Sequence, residues 1–308
     1  MRECVIESRS LTKKFGDVVA LKDVDITIKR GDIYGLIGDN GAGKTTFLKI
    51  LTGQIYPSGG EIRLFDAYAE RELEKNRKRT GAIIETPGFY PKLSVEKNLE
   101  YYRIQKGIPG KEKVEAVLKT VGLWEKRKRK AGTLSLGMKQ RLGLGIALLG
   151  EPELLILDEP INGLDPSGII EMRNLLLRLN HEKNITIIIS SHILSELEQI
   201  ATIYGFLSQG WLLKEITAEE LHEQCAVYLD IAVTQPEHFA ALLEKRWKDI
   251  QYQVLPDSTI RIKNPEMAPD AYSTLASENG IGVLRLAQKQ MMLEEYYMNL
   301  KEKGRLSC

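Results

Sequence analysis

Hydrophobic and polar residues alternate near the start of the chain and later gather into short apolar runs. Val24, Ile26 and Ile28 alternate with polar residues at period two, which is typical of a strand with one buried face. Further short apolar runs predict strands at 33–37, 82–84, 154–157 and 185–189. The last two runs are typical of buried parallel strands. Because a helical pattern at 175–179 separates them, they predict a βαβ unit.

The same pattern divides the chain into two domains. From about 87 to 150 it becomes helical and polar, with Ser94 as a fitting N-cap, which predicts a helical subdomain inside a first domain of residues 1–225. In residues 226–308 the predicted elements follow the order βαββαβ plus a final helix. This order is typical of a small α+β domain of the ferredoxin-like type.

Composition and charge narrow the class of protein. With 308 residues, a net charge of +1 and 28% charged residues, the chain has no global field that would attract nucleic acid or an acidic membrane. The basic run at 126–130 is too short to change this, so we expect no nucleic-acid partner. The three cysteines form no CxxC pair, and no apolar run approaches the roughly 20 residues of a membrane-spanning helix. We therefore expect a cytoplasmic protein.

A phosphate-binding loop follows the predicted strand at 33–37. The stretch GDNGAGKT, residues 38–45, fits G-x-x-x-x-G-K-[ST] and precedes a helical pattern. Such a loop binds phosphates through backbone N–H groups, while Lys44 contacts the β and γ phosphates and the Thr45 hydroxyl binds Mg²⁺. The candidate nucleotide-binding residues are Gly38, Asn40, Gly41, Ala42, Gly43, Lys44, Thr45 and Thr46.

Two carboxylates end the buried strand at 154–157. Asp158 is placed to bind Mg²⁺, and Glu159 is placed beside the γ-phosphate to polarise an attacking water. Together with the phosphate loop they predict a nucleotide hydrolase that uses Mg²⁺, with Lys44 and Glu159 among its catalytic residues.

The run LSLGMKQ at 134–140 resembles the LSGGQ signature of ATP-binding-cassette (ABC) ATPases. Ser135 and Gly137 match that signature, and Leu136 and Met138 depart from it. Asp165 ends a stretch that resembles the D-loop, His192 resembles the switch histidine that contacts the γ-phosphate, and Phe15 occupies the position of the adenine-stacking aromatic residue. The set of motifs covers roughly residues 4–216.

This resemblance implies a fold and an assembly. The fold is a P-loop NTPase of the ABC type, with a parallel-sheet core, an antiparallel β subdomain and a helical subdomain, followed by the C-terminal α+β domain. Two copies would bind ATP head to tail, between the phosphate loop of one and Ser135–Gly137 of the other. The dimer would drive a separate membrane permease, which would hold the protein at the inner face of the membrane.

Glu85 ends the predicted strand at 82–84, where most ABC ATPases carry the glutamine of the Q-loop. Three interpretations compete: a second catalytic base, a structural loop residue, and a coupling residue whose oxygen reaches Mg²⁺ while its loop contacts the permease. The third is favoured, because Glu159 already occupies the better position for a base.

The stretch ETPGFYP after Ile84, together with SLGMKQRL, resembles the bacitracin and lantibiotic self-protection transporters, which carry an acidic residue at this position. This implies export of a peptide antibiotic, in a Gram-positive type of bacterium. Two alternatives stay open: export of a drug, a sodium ion or a lipid, and a non-transport ABC ATPase acting on ribosomes or DNA.

Overall fold

The computed structural model describes residues 2–65, 67–68, 70–224, 227–290 and 292–305. The strands are β1 Cys4–Phe15, β2 Val18–Lys29, β3 Ile33–Ile37, β4 Gly59–Leu64, β5 Thr80–Ile83, β6 Leu154–Asp158, β7 Thr186–Ser191, β8 Ile203–Ser208, β9 Trp211–Thr217, β10 Val227–Val233, β11 Gln251–Val254, β12 Ile260–Lys263 and β13 Val283–Gln290. The helices are α1 Lys44–Leu51, α2 Glu70–Arg77, α3 Val95–Gln105, α4 Glu112–Thr120, α5 Leu136–Leu148, α6 Pro166–Lys183, α7 Leu194–Leu197, α8 Ala218–Gln224, α9 Pro236–Arg246, α10 Pro269–Glu278 and α11 Leu293–Arg305. They form two compact units, Met1–Ala218 and Glu219–Cys308.

The first unit contains a six-stranded sheet in the order β5-β6-β7-β3-β8-β9. Its strands are parallel except β9, which runs antiparallel to β8. Every residue of β3, β6 and β7 is buried, as expected for central strands of a parallel sheet. The sequence prediction of a parallel-sheet core with a βαβ unit is confirmed, because α6 connects β6 to β7.

An antiparallel sheet of three strands, in the order β2-β1-β4, accompanies the parallel one. In β2, Val24, Ile26 and Ile28 are buried while Asp25 and Thr27 are exposed, so the predicted alternation is confirmed. Three helices, α3, α4 and α5, occupy the region predicted to be helical. Ser94 caps α3, since its hydroxyl accepts a hydrogen bond from the Lys97 N–H at 3.2 Å.

The second unit is an antiparallel sheet in the order β11-β12-β10-β13 with α9 and α10 between its strands. From Val227 onward its elements follow the order βαββαβ plus a final helix, and its core includes Leu229, Phe239 and Ile262. The predicted C-terminal α+β fold is confirmed. The two units divide after Ala218, so α8 groups largely with the second unit, whereas the expected boundary fell at 225/226, outside the described residues.

An ion-pair network joins three strand ends at the edge of the parallel sheet where β6 begins. Glu153 accepts hydrogen bonds from Arg79 at 2.6 and 2.9 Å and from Arg30 at 2.8 Å, and Arg30 also contacts Glu3 at 2.7 Å. The hydrogen bonds from Arg79, followed by those from Arg30, lower the pKa of Glu153 to about 2. Because this pKa is depressed in the folded protein, the ion pairs of Glu153 stabilise the fold above the ordinary carboxyl pKa. This stabilisation is lost as the pH falls toward 2.

We expect Glu153→Gln to lower the free energy of unfolding by about 1 kcal/mol at pH 7, since the charged acceptor is lost at a partly exposed site. The difference in free energy of unfolding between the variant and the parent should shrink as the pH is lowered from 4.5 toward 2. In that range the Glu153 carboxylate of the parent takes up a proton and also loses its charge. Urea unfolding between pH 7 and 3 measures this. The control is Glu182→Gln, at an exposed position with no ion pair in the described part of the chain. A deficit that is constant across this range would contradict the assignment.

Candidate functional site

The strand order brings three chain segments to one edge of the parallel sheet. In the register of β6, β7 and β3, Asp158 lies beside Ser190, and Ser191 lies beside Ile37, the last residue before the phosphate loop. Because the carboxyl ends of parallel strands share an edge, the loops after these strands form one site.

The phosphate loop needs glycine at two places where its backbone packs closely. Gly43 has φ 108°, and a Cβ there would lie 2.6 Å from the Ala20 carbonyl oxygen. At Gly38 a Cβ would lie 2.5 Å from the Leu207 carbonyl oxygen. Any larger residue would push the loop away from the strand, so the glycines fix the position at which α1 begins.

Lys44, the first residue of α1, is only 6% exposed. Its Nζ donates to the carbonyl oxygens of Gly38 at 2.6 Å and Asp39 at 3.2 Å, and lies 3.5 Å from Glu159 Oε1. A buried ammonium requires such acceptors. These acceptors hold the Lys44 ammonium inside the loop, in a position to contact a bound phosphate.

Two hydroxyls contact the Asp158 carboxylate. Thr45 Oγ1 donates to Oδ2 at 2.9 Å, and Ser190 Oγ donates to Oδ1 at 2.6 Å. Oxygen atoms of this kind are the ligands that Mg²⁺ prefers, usually one or two protein groups together with phosphates. In the described part of the chain no group of three acidic, histidine or cysteine side chains could hold a metal. Thr45 and Asp158 therefore fit an ion that is also bound by nucleotide phosphates.

Glu159 adopts a left-handed backbone, with φ 50°. Its N–H points at Ser190 Oγ at 3.0 Å, and its Oε2 lies 2.6 Å from His192 Nδ1. An ionised carboxylate only accepts hydrogen bonds, so Nδ1 must carry the proton in this pair and Nε2 is left for another partner. The backbone and His192 thus fix the direction of the carboxylate.

Lys44, Thr45, Glu159 and His192 line a cavity of about 370 Å³, whereas Asp158 and Ser190 are not part of its lining. Of the residues predicted from sequence, it brings together Asn40, Gly41, Gly43, Lys44, Thr45, Thr46, Glu159 and His192. Ala20, Asp39 and Asn162 also line it, although they were not among the predicted site residues. Gly38 contributes through its carbonyl contact to Lys44, and Ala42 is buried in the loop.

Phe15 does not line this cavity. It ends β1 and is 49% exposed, and the Lys13 ammonium lies 4.9 Å from the centre of its ring. An exposed ring at this place remains available for stacking, and its predicted contact with adenine stays a prediction.

Ser135, Gly137 and Asp165 lie on a second surface of the first unit. The Ser135 hydroxyl caps α5 by accepting from the Met138 N–H at 3.4 Å, and Asp165 occupies the N-cap position of α6. A Cβ on Gly137 would lie 3.7 Å from Leu164, so the two loops are neighbours.

Asp165 itself is exposed. It accepts a hydrogen bond from the Ser167 hydroxyl at 2.7 Å, and this contact lowers the pKa of Asp165. Ser135, Gly137 and Asp165 are all absent from the lining of the cavity.

Glu85 is also outside the cavity. It follows β5 with φ 61°, its side chain is 63% exposed, and its Oε1 lies 2.5 Å from the Nζ of Lys49 on α1. Lys49 lies on the helix that begins at Lys44, so this ion pair ties the loop after β5 to the phosphate-binding helix.

Sequence reasoning missed Ser190 and Lys49. Ser190 follows the apolar run at 185–189 directly, and a hydroxyl at the carboxyl end of a central strand is a signal that would have identified it. No such signal exists for Lys49, because its partner Glu85 is distant in sequence and a lysine on a short helix is usually solvated.

The sequence is similar to the ATP-binding proteins of known transporters. The family model described as ABC transporter matches residues 21–162. The bacitracin transport ATP-binding protein BcrA of Enterococcus faecalis is 40% identical over 97% of this chain and 96% of its own. BcrA of Bacillus licheniformis is 42% identical over 96% and 97%. The lantibiotic transport ATP-binding protein SrtF of Streptococcus pyogenes is 42% identical over 68% of this chain and 90% of its own.

Solved structures agree with the fold of the first unit. A dimeric structure of the ATP-binding cassette MJ0796 in a post-hydrolysis state, bound to ADP and Pi, has a TM-score of 0.63 and 25% identity over 69% of this chain and 98% of its own. CbiO1 of Clostridium perfringens has a TM-score of 0.65 and 27% identity over 80% and 96%.

We expect Ser190→Ala to lower the rate of ATP hydrolysis about tenfold to a hundredfold, because the hydroxyl holds both Asp158 and the Glu159 N–H. Initial rates of phosphate release at several ATP concentrations measure this. The matched control is Ser191→Ala in the same strand, whose hydroxyl accepts from the Ile193 N–H at 2.9 Å instead of contacting Asp158. Equal losses in the two variants would show that Ser190 supports only the strand.

Proposed function

The chain belongs to the ATP-binding proteins of ABC transporters and is an ATPase, and we propose that its ATP hydrolysis drives a separate membrane permease that exports a peptide antibiotic of the bacitracin or lantibiotic type. The observation that carries the proposal is the near-complete overlap with two bacitracin transport ATP-binding proteins, which extends through the second unit. A match confined to the ATP-binding unit would favour no particular cargo.

The chain's own residues account for the hydrolytic step. Lys44 exchanges its contacts with the Gly38 and Asp39 carbonyls for phosphate oxygens and stabilises the charge that develops there. Glu159, held by His192, accepts a hydrogen bond from the attacking water and orients it toward the γ-phosphate.

Mg²⁺ belongs to this proposal, with Thr45 and Asp158 as its protein ligands. When bound, the ion would neutralise phosphate charge that Lys44 does not reach. Ser190 contributes by keeping the Asp158 carboxylate in place through its 2.6 Å hydrogen bond.

The second surface of the first unit supports a head-to-tail dimer. Ser135 and Gly137 at the start of α5 and Asp165 at the start of α6 do not line the cavity of the same chain. A helix N-terminus with an exposed serine suits an anionic ligand. In the dimer this surface would meet the γ-phosphate bound by the other copy. The dimeric structures of MJ0796 are consistent with such an assembly.

A permease partner completes the proposal. Within the described residues, no helix is both long enough and apolar enough to span a bilayer. We place the protein at the cytoplasmic face of the membrane, bound to the permease through the loop from Glu85 to Tyr90. Tyr90 is exposed on that loop and donates a hydrogen bond to the Tyr101 hydroxyl at 3.0 Å.

Within this scheme Glu85 acts as a coupling residue. Its exposed pair with Lys49 contributes at most about 1 kcal/mol, so the loop is released from α1 at little cost when the nucleotide state changes. The competing hypotheses for Glu85 are a second catalytic base, a Mg²⁺ ligand and a structural loop residue. The first two require the carboxylate to enter the cavity.

A second candidate cargo has its own support. A probable multidrug ABC transporter ATP-binding protein of Escherichia coli, YbhF, is 35% identical over 73% of this chain. That match covers only 39% of YbhF, so the peptide-antibiotic proposal takes precedence. A role on ribosomes or DNA is the remaining alternative.

We expect Glu159→Gln to trap the ATP-bound dimer, because water activation is lost while the nucleotide contacts remain. Purification of this variant from native membranes with ATP and Mg²⁺, followed by mass spectrometry, should recover a polytopic membrane protein. Lys44→Met is the control, since it removes the phosphate-binding cation and should recover much less. Ribosomal proteins or DNA in place of a membrane protein would refute the transport proposal.

Cargo is then tested with the recovered permease. Co-expression of both proteins in a sensitive Bacillus host should raise the inhibitory concentration of bacitracin or of a lantibiotic. The Glu159→Gln pair should give no protection. Protection against an unrelated drug alone would favour the multidrug alternative.

For Glu85→Gln we expect the ATPase rate of the purified chain to stay within about threefold of the parent, since the carboxylate lies outside the cavity. Antibiotic protection by the co-expressed pair should nevertheless fall. Loss of hydrolysis in the purified variant, comparable to that of Glu159→Gln, would assign Glu85 to catalysis or metal binding instead.

A further inference from the structure

The second unit contains a cavity of about 420 Å³ that the ATPase mechanism does not use. It lies wholly within residues 246–272, where the end of α9, the loop before β11, the end of β12 and α10 meet. Its volume is in the range of sites for small organic ligands, which combine apolar walls with a few polar groups.

An aromatic wall forms one side of the cavity. The ring centres of Trp247 and Tyr272 are 4.8 Å apart, with planes inclined at 48°, and the fully buried Ile262 also lines the space. Such surfaces bind flat apolar groups by stacking and dispersion.

Tyr272 adds a hydrogen-bond donor to the lining of the cavity. The residue is only 2% exposed, yet no hydrogen bond of its hydroxyl occurs among the described residues. The hydroxyl oxygen keeps some exposure to solvent, and a ligand in the cavity can supply an acceptor for it. By contrast, the more exposed Tyr252 in the same unit donates to Glu244 at 2.6 Å.

Basic side chains outnumber acidic ones in the lining of the same cavity. Arg246, Lys248 and Lys263 line the cavity, and the side chains of these three form no ion pair within the described ranges. Other cations of the unit are paired, since Arg261 and Lys289 both contact Asp230. Two carboxylates, Asp249 and Glu266, also line the cavity and leave an excess of one positive charge.

We propose that this cavity binds a small organic anion that carries a flat apolar ring system. The ring lies against Trp247 and Ile262, the anionic group meets Arg246, Lys248 and Lys263, and an acceptor on the ligand receives the Tyr272 hydroxyl. Asp249 and Glu266 accept hydrogen bonds from any donor that the ligand presents.

The test uses the full-length chain with Trp124→Phe and Trp211→Phe, which leaves Trp247 as its only tryptophan. The probe is 1-anilinonaphthalene-8-sulfonate, detected by energy transfer from Trp247, and its uncharged counterpart is N-phenyl-1-naphthylamine. We expect saturable binding of the sulfonate with one site per chain and about tenfold weaker binding of the uncharged probe.

Neighbouring basic residues provide a matched pair of variants. Arg246→Ala combined with Lys248→Ala should raise the dissociation constant of the sulfonate about tenfold and leave that of the uncharged probe unchanged. Lys245→Ala, one residue away on α9 but outside the cavity, should change it less than about twofold. All three side chains are exposed, so the variants should fold, which circular dichroism verifies.

Equal effects of the two variants would overturn the proposal. So would equal affinity for the charged and uncharged probes, or binding of the sulfonate that does not saturate.

Discussion

The placement of β7 between β6 and β3 is the constraint on which the proposed ATP site depends. Parallel pairing in one register sets Asp158, Ser190 and the phosphate loop along one sheet edge. A slip of one residue would turn the opposite face of β7 toward the site and remove the Ser190 hydroxyl from Asp158. The three buried strands resist such a slip because every residue packs into the core.

The charged groups at this sheet edge compensate one another. Lys44 is nearly inaccessible to water, so its charge is compensated by two carbonyl oxygens and by Glu159. Glu159 in turn is held by His192. In the proposed mechanism arriving phosphates exchange contacts with an organised network, so that little reorganisation is left for the chemical step.

Much of this was predictable from the sequence, because the relevant signals are local. The phosphate loop, the carboxylates at the end of β6 and the order of elements in the second unit each follow from short patterns. Strand β1 was missed for a physical reason. Its register with β2 shifts several times and Ser10 has φ 44°, so Val5, Ile6 and Leu11 are buried without a regular period.

Glu85 and Glu159 both have left-handed backbones, with φ values of 61° and 50°. Side chains branched at Cβ are strongly disfavoured in this region. Substitution of either residue by threonine, valine or isoleucine would therefore destabilise the loop, whatever the function of the carboxylate. The backbone thus restricts which substitutions these two loops accept, independently of the chemistry that each carboxylate performs.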